Sequence, residues 1–322
     1  MRLNKTLQKL SQLLLICLLL SLCACSGKKT KGSDNGDDAS INTEDNITPT
    51  CPVTNTPELS PDASKDGSAS LVTPATSATA ANDSIVTPAS AETSEKAISS
   101  SPAADEISIK YIGNSCFYIT FSDGTRLVTD PYGDNYAYYF GDFPKIEADV
   151  MTISHTHEDH TNGIDAVEGD PQIIMPEQVG KPCEVGDIKI TSYTSDHVAA
   201  MGTNIIYIYE ENGLKIVNMG ETDNIASKEA LDAVKDADVI LAYAGEYGTI
   251  KNKDSFQTLF GLNIKAMIPE HYSNNPNVVF YGEPTMEDIL KEVPSGINIT
   301  EADEFIVKKD LDVQFVNLSR VE

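Results

Sequence analysis

The five histidines of this 322-residue chain impose the tightest condition on its fold, because all of them follow short apolar runs. Three are packed into Ser154-His155-Thr156-His157-Glu158-Asp159-His160, and the other two are His197 and His271. The stretch Asp149-Val150-Met151-Thr152-Ile153-Ser154 is apolar and β-branched, and predicts a buried strand that delivers the histidine string at its C-terminal end. His197 follows the alternating run 188–193, and His271 follows Ala266–Glu270. Imidazole nitrogens bind zinc and related ions, and carboxylates suit zinc, manganese or iron. The spacing H-x-H-x-D-H therefore offers four ligands from one turn, held by a strand rather than by a free loop. A histidine-rich solvated loop accounts for none of this clustering. Either distant histidine taken singly reads as a satisfied structural residue. Three strand-end placements on one chain instead call for a fold that gathers strand ends around a metal site.

With its flanking motifs the chain resembles the metallo-β-lactamase superfamily, and within it the branch of small hydrolases that includes the ascorbate-phosphate lactonases. The resemblance spans about residues 105–322. It rests on Tyr111-Ile112-Gly113-Asn114-Ser115, Thr129-Asp130-Pro131, the histidine string, Asn218-Met219-Gly220-Glu221-Thr222 and Ile268-Pro269-Glu270-His271-Tyr272. It implies an α/β fold, an αββα sandwich, with two divalent metal ions at one edge: zinc first, manganese or iron as alternatives. Carried over position by position, it gives His155, His157 and His197 to the first metal, and Asp159, His160 and His271 to the second. A carboxylate after the fourth motif bridges them. The implied reaction is hydrolysis of a small-molecule lactone, ester or phosphodiester by a metal-bridged hydroxide, with the ions stabilising charge on the attacked oxygen. Asp159 and Tyr272 are the candidate catalytic side chains. Tyr272 would donate a proton or hydrogen bond to the leaving group, with a packing role as its rival.

Two positions depart from the family pattern. Glu221 stands where the family usually has Asp, with Asp223 two residues on, and Asn114 stands where it often has His. Glu221 is the preferred bridge because it closes the run 214–219, and a strand-end residue is held more firmly than one in the following loop. Asp130 reads either as a carboxylate that orients a ligand imidazole or as a turn residue before Pro131.

Residues 1–25 read as a secretory leader, with Arg2, Lys5 and Lys9 ahead of an apolar stretch from Leu13 to Leu22. That stretch is shorter than the ~20 residues of a membrane span. It ends in Leu22-Cys23-Ala24-Cys25, which resembles the bacterial lipoprotein box, with Cys25 as the lipidated residue. Residues 26–104 are dominated by Ser, Thr, Ala, Pro, Asp and Gly, lack aromatic residues, and carry no hydrophobic period. Such a stretch cannot bury enough apolar surface to offset its ordering entropy, so a disordered tether is expected. The net charge of −26 disfavours nucleic acid and anionic surfaces as partners. It does not exclude a phosphorylated substrate, since bound cations dominate their local field. The expected location is the outer face of the cell membrane, reached through a lipid on Cys25.

Residues 105–322 suffice for one domain. Ser122-Asp123-Gly124 and Glu211-Asn212-Gly213 predict hairpin turns, and helices are expected over 227–235, 254–262 and 285–292, each opening near a Ser, Thr or Asp cap. The aromatic-rich segment 131–144 serves equally as a substrate rim or as core cover. Cys116 reads as a small core residue and Cys183 as part of a polar turn. Whether they pair is not decided by spacing. Two other function classes fit the ligand pattern: a non-catalytic metal- or ligand-binding lipoprotein on the same fold, and a di-iron oxidoreductase, against which the lack of a flavin-binding domain argues. Cys25→Ser is expected to leave the protein unprocessed and outside the lipid-associated fraction. Unchanged processing and detergent partitioning would remove the lipoprotein reading.

Overall fold

The structure is a computed structural model in which residues 102–322 are described, apart from 226, 247–250, 276–277 and 279. The leader over 1–25, Cys25 and the tether as far as residue 101 lie outside the described residues.

Two β-sheets form the centre. The first joins β1 (Ile107–Gly113), β2 (Cys116–Thr120), β3 (Arg126–Thr129), β4 (Glu147–Thr152) and β5 (Glu168–Ile174) in sequence order, with β14 (Phe305–Val307) on the free edge of β1. β1, β2 and β3 are antiparallel neighbours, while β3, β4 and β5 run parallel. The second sheet is built on β7 (Ile188–His197), β8 (Thr203–Glu211), β9 (Leu214–Asn218), β11 (Val239–Tyr243) and β12 (Ala266–Glu270). β10 (Thr222–Asn224) and β6 (Cys183–Val185) pair with β7, and β15 (Gln314–Leu318) and β13 (Asn298–Ala302) extend the far edge.

The period-two pattern of the first sheet explains its layering, because successive side chains point to opposite faces. Phe117, Ile119, Leu127 and Val150 join a core shared with Ile206, Ile216, Ile240 and Ile268 of the second sheet. Their neighbours Cys116, Tyr118, Val128 and Met151 enter a separate cluster with Tyr132, Phe140 and Phe280. Both faces are therefore covered. Phe140 comes from the short helix α1 (Ala137–Phe140). The shared core also takes Val234, Phe256 and Ile289, from the helices α3 (Lys228–Val234), α4 (Asn252–Phe260) and α5 (Met286–Glu292). This is the αββα sandwich expected. Two tyrosines of β8 also tie the sheets together beside the histidine string. Tyr209 Oη lies 2.7 Å from Thr152 Oγ1, and Tyr207 Oη donates to the carbonyls of Ile153 (3.0 Å) and Ile174 (3.2 Å).

Element boundaries shift where pairing or capping overrides local composition. β7 runs on through the polar Thr194–Asp196 stretch to His197, because β8 pairs it as far as Asp196↔Thr203 and β10 pairs Thr222 with His197. α4 begins two residues earlier than expected. Glu246 Oε1 accepts the Asn252 N–H at 2.9 Å and supplies the first turn with an acceptor from outside the helix. Ser227 and Thr285 cap α3 and α5, the latter in a capping box with Asp288. Cys183 is not in a polar turn: it opens β6 and is buried. Cys183 is disulfide-bonded, and not to Cys116, which is buried and free.

Ile240, fully buried in the shared core, tests the clamp between the sheets. Ile240→Ala is expected to cost about 2–5 kcal/mol through lost burial and a residual cavity. A lower urea midpoint at unchanged slope is the readout.

Candidate metal centre

Four strand ends bring the predicted side chains together: His197 closes β7 itself, and the loops after β4, β9 and β12 are each pinned by specific contacts. After β4 the Ser154 N–H donates to Asp130 Oδ1 at 2.7 Å, and the Ser154 carbonyl accepts from Ile205 N at 2.9 Å. The chain then enters the one-turn helix α2 (Glu158–Thr161), which turns Asp159 and His160 inward and leaves Glu158 exposed. After β9 the backbone turns through Gly220 at φ +51°. Asn218 Oδ1 accepts the Gly220 N–H at 3.0 Å, and Asn204 Oδ1 accepts the Glu221 N–H at 3.0 Å. After β12 His271 itself takes φ +57°, and its N–H donates to the Asn114 carbonyl at 2.9 Å. A left-handed conformation is unusual for a residue with a Cβ and is concentrated at functional sites.

The donor atoms form two groups, each with all its atoms within 4.8 Å of one another: His155, His157, His197 and Glu221, and Asp159, His160, Glu221 and His271. Glu221 belongs to both, and Asp223 to neither. Asp223 is exposed in β10. Among these donors only His157 is not buried.

Hydrogen bonding aims the imidazoles inward. His197 Nδ1 lies 2.9 Å from the Val198 carbonyl, which only accepts, so Nδ1 carries the proton and Nε2 is left with a free lone pair. His155 Nδ1 is engaged by Ser154 Oγ at 2.9 Å. His155 Nε2 and His197 Nε2 are buried with no hydrogen-bond partner. A buried polar atom without a partner is costly, and a cation between these nitrogens and Glu221 would satisfy both. The residues therefore fit a metal.

The electrostatics agree. Burial, then His160, pushes His155 down to about 4, which keeps the imidazole neutral and available as a ligand. Burial also lowers His157. For His160, burial opposes the charged form, but Asp159, Asp130 and Glu221 outweigh it and hold the ring up to about 10. Burial works against the carboxylates of Asp159 and Glu221, yet the surrounding imidazoles keep both below their ordinary values. Without metal, charge is balanced inside the cluster by protons that an incoming divalent cation would displace.

The remaining predicted residues fall into place individually. Asn114 is fully buried, and its Nδ2 donates to the Asp159 carbonyl (2.9 Å) and Oδ2 (3.3 Å), so it steadies the donor set. Asp130 turns the chain at φ +37°, and its Oδ1, which accepts the Ser154 N–H, lies 3.7 Å from His160 Nδ1, close enough for charge attraction but beyond hydrogen-bond reach. Tyr272 is buried and stacked on Tyr111, ring centroids 5.4 Å apart. The packing role is the one this geometry supports. The aromatic segment divides: Tyr132 and Phe140 are core, whereas Tyr138 is 70% exposed. Tyr138, Tyr139, Phe280 and Tyr281 form a row with successive centroids 5.4, 4.8 and 4.6 Å apart. A cleft of ≈ 480 Å³ between β10 and α4 is lined by Met219, Thr222, Asp223, Tyr243, Lys251 and Asp254, among others, and by none of the donor residues.

Sequence reasoning missed Asn204 and Glu283. Asn204, fully buried, donates from Nδ2 to the Met219 carbonyl (2.8 Å) and Thr222 Oγ1 (2.9 Å), and so holds the Glu221 turn on both sides. A polar residue at the head of the apolar run 204–209 was its one signal. Glu283 Oε1 lies 2.6 Å from His271 Nδ1, and nothing in its loop sequence marks it.

A family model described as a β-lactamase superfamily domain matches residues 108–271, half of the chain. A UPF0173 metal-dependent hydrolase of Haloarcula marismortui is 20% identical over 237 residues, covering 60% of this chain and 97% of its own. Another, of Thermococcus onnurineus, is 25% identical over 195 residues, covering 52% and 85%. Among solved structures, a Thermotoga maritima protein described as a Zn-dependent hydrolase of the metallo-β-lactamase superfamily aligns with a TM-score of 0.49. It is 24% identical, over 66% of this chain and all of that one.

The Gly220 turn is open to test. A Cβ there would sit 2.5 Å from Asn204 Oδ1 and 2.8 Å from Ser154 Cβ, on a backbone that disfavours one. Gly220→Ala is expected to cost about 1–3 kcal/mol through strain. It should also weaken binding of added zinc, because Glu221 moves with the turn. Urea unfolding and zinc titration on the same protein check both.

Proposed function

This chain belongs to the β-lactamase superfamily, and on that premise we propose that it is a metal-dependent hydrolase whose two donor sets each take one divalent cation, zinc first. The observation that carries the reading is Glu221: a buried carboxylate common to both donor sets, faced by His155 Nε2 and His197 Nε2, which are buried with no hydrogen-bond partner. Metal-dependent hydrolase is also what the UPF0173 relatives are named.

Bound divalent cations supply Lewis acidity toward a carbonyl or phosphoryl oxygen and activate water near neutral pH. The rest is the work of this chain. His155, His157 and His197 would hold one cation, and Asp159, His160 and His271 the other. Glu221, common to both sets, would serve both cations. Asn114, Asn204 and Asp130 fix the loops that carry these donors, so the geometry is in place before substrate arrives. A small lactone, ester or phosphodiester suits this arrangement, because each presents an electrophilic centre with an oxygen for the cations to polarise. Acidic residues over the rest of the chain do not oppose an anionic substrate once two cations are seated.

The reading includes a lipid on Cys25 and action on the outer face of the cell membrane. The leader with its terminal cysteine supports this.

The test is metal content and turnover in the full-length chain purified without chelators. Two metal equivalents and hydrolysis on a panel of lactones, esters and phosphodiesters are expected. Glu221→Gln should lower metal affinity or activity by at least the ~10–100-fold typical of outer-shell changes, while Asp223→Asn leaves both intact. If Asp223→Asn alone abolishes both, Asp223 is the bridging group. A protein that binds no metal ends the hydrolase reading.

A further inference from the structure

The two donor sets differ in what stands behind their histidines. In the first set the groups at Nδ1 are neutral: Ser154 Oγ behind His155 and the Val198 carbonyl behind His197. In the second they are carboxylates, Asp130 Oδ1 at 3.7 Å from His160 Nδ1 and Glu283 Oε1 at 2.6 Å from His271 Nδ1. The second set also holds Asp159 in addition to the shared Glu221.

Glu283 is the less expected of the two. It is 5% exposed, and among the described residues its ion pair is with His271. Its other oxygen is buried without a hydrogen-bond partner. Burying a carboxylate is costly unless a specific partner compensates it. His271 points its other nitrogen, Nε2, at Asp159 Oδ2 (3.2 Å) and Glu221 Oε1 (2.9 Å). Glu283 thus stands on the Nδ1 side of His271 and the donor centre on its Nε2 side, the placement from which an outer carboxylate orients an imidazole and raises its basicity toward a metal. The loop is built to keep Glu283 there. Its N–H donates to the Phe280 carbonyl at 3.0 Å, Phe280 packs in the aromatic cluster with Tyr139 and Phe140, and Ser273 N donates to the Pro284 carbonyl at 3.0 Å.

We propose that Glu283 is a positioning residue for the second donor set, acting through His271. We further propose that, with Asp130 behind His160, it makes this set the tighter of two unequal metal sites. The proposal rests on the two-cation reading above. An anionic partner behind each imidazole, together with one more carboxylate among the donors, favours a divalent cation over the first set's neutral backing. The second set should therefore fill first.

Zinc titration of the metal-stripped full-length chain against a competing chelator tests this. The unmodified protein should show two steps of unequal affinity. Glu283→Gln should weaken the tighter step ~10–100-fold and leave the weaker one in place, and Glu283→Asp should restore part of the loss. In the His197→Ala background, which cripples the first set, Glu283→Gln should still weaken the remaining ion. Thermal unfolding of the stripped proteins separates positioning from general damage. Equal weakening of both steps with a lowered melting temperature, or unchanged affinities, overturns the proposal. Absence of zinc binding by the unmodified chain overturns the two-cation reading instead.

Discussion

Four imidazoles surround the buried carboxylate of Glu221: His160 and His271 at 2.9 Å, His155 at 3.4 Å and His197 at 3.7 Å. Few arrangements demand more of a fold. An ionised carboxylate and a ring of imidazoles taken out of water must be compensated at close range, and displacing one member leaves the others uncompensated. The compensation here depends on side chains from strand ends far apart in sequence, so every element that sets those ends relative to one another acts on the site. The shared core and the two tyrosines of β8 that reach across to β4 and β5 do this beside the histidine string.

Backbone geometry completes the task. Asn114, Asp130, Gly220 and His271 all lie in the left-handed region, and each stands where the chain must reverse to aim a donor inward. For the three with side chains this costs of order 1–3 kcal/mol each unless the surroundings determine it. The surroundings do: the His271 N–H meets the Asn114 carbonyl, Asp130 accepts from Ser154, and Gly220 is held through Asn218. Asn114 links two of these turns, since it receives His271 at its carbonyl and holds Asp159 with its amide. A polar residue smaller than histidine at this position still keeps a contact with the donor set.

Substrate selection belongs to the margins of this framework. The row of aromatic rings that ends in exposed Tyr138 and Tyr281 reaches the donors through Phe280, whose ring lies 6.3 Å from that of His271. Loops on a rigid scaffold change at little cost to the core, and for that reason superfamily membership constrains the reaction more than the substrate.

The layering of residues 102–322 and most of the site were legible in the sequence because both rest on local signals. Period-two alternation in β1 to β4, Gly-containing turns, and Ser227 and Thr285 as helix caps are properties of neighbouring residues. The histidine string likewise announces itself by spacing. Tertiary structure decided what depends on residues distant in sequence. β7 reaches His197 only because β8 and β10 pair it on either side. α4 starts early because Glu246 caps it. Glu221 rather than Asp223 joins both donor sets because Asn204 and Gly220 set the direction of the turn. Tyr272 stacks on Tyr111, a contact between β1 and the loop after β12 that no local pattern marks. Glu283 carries no local mark. Its meaning arises when the loop after β12 folds back on His271, a contact set by packing rather than by pattern.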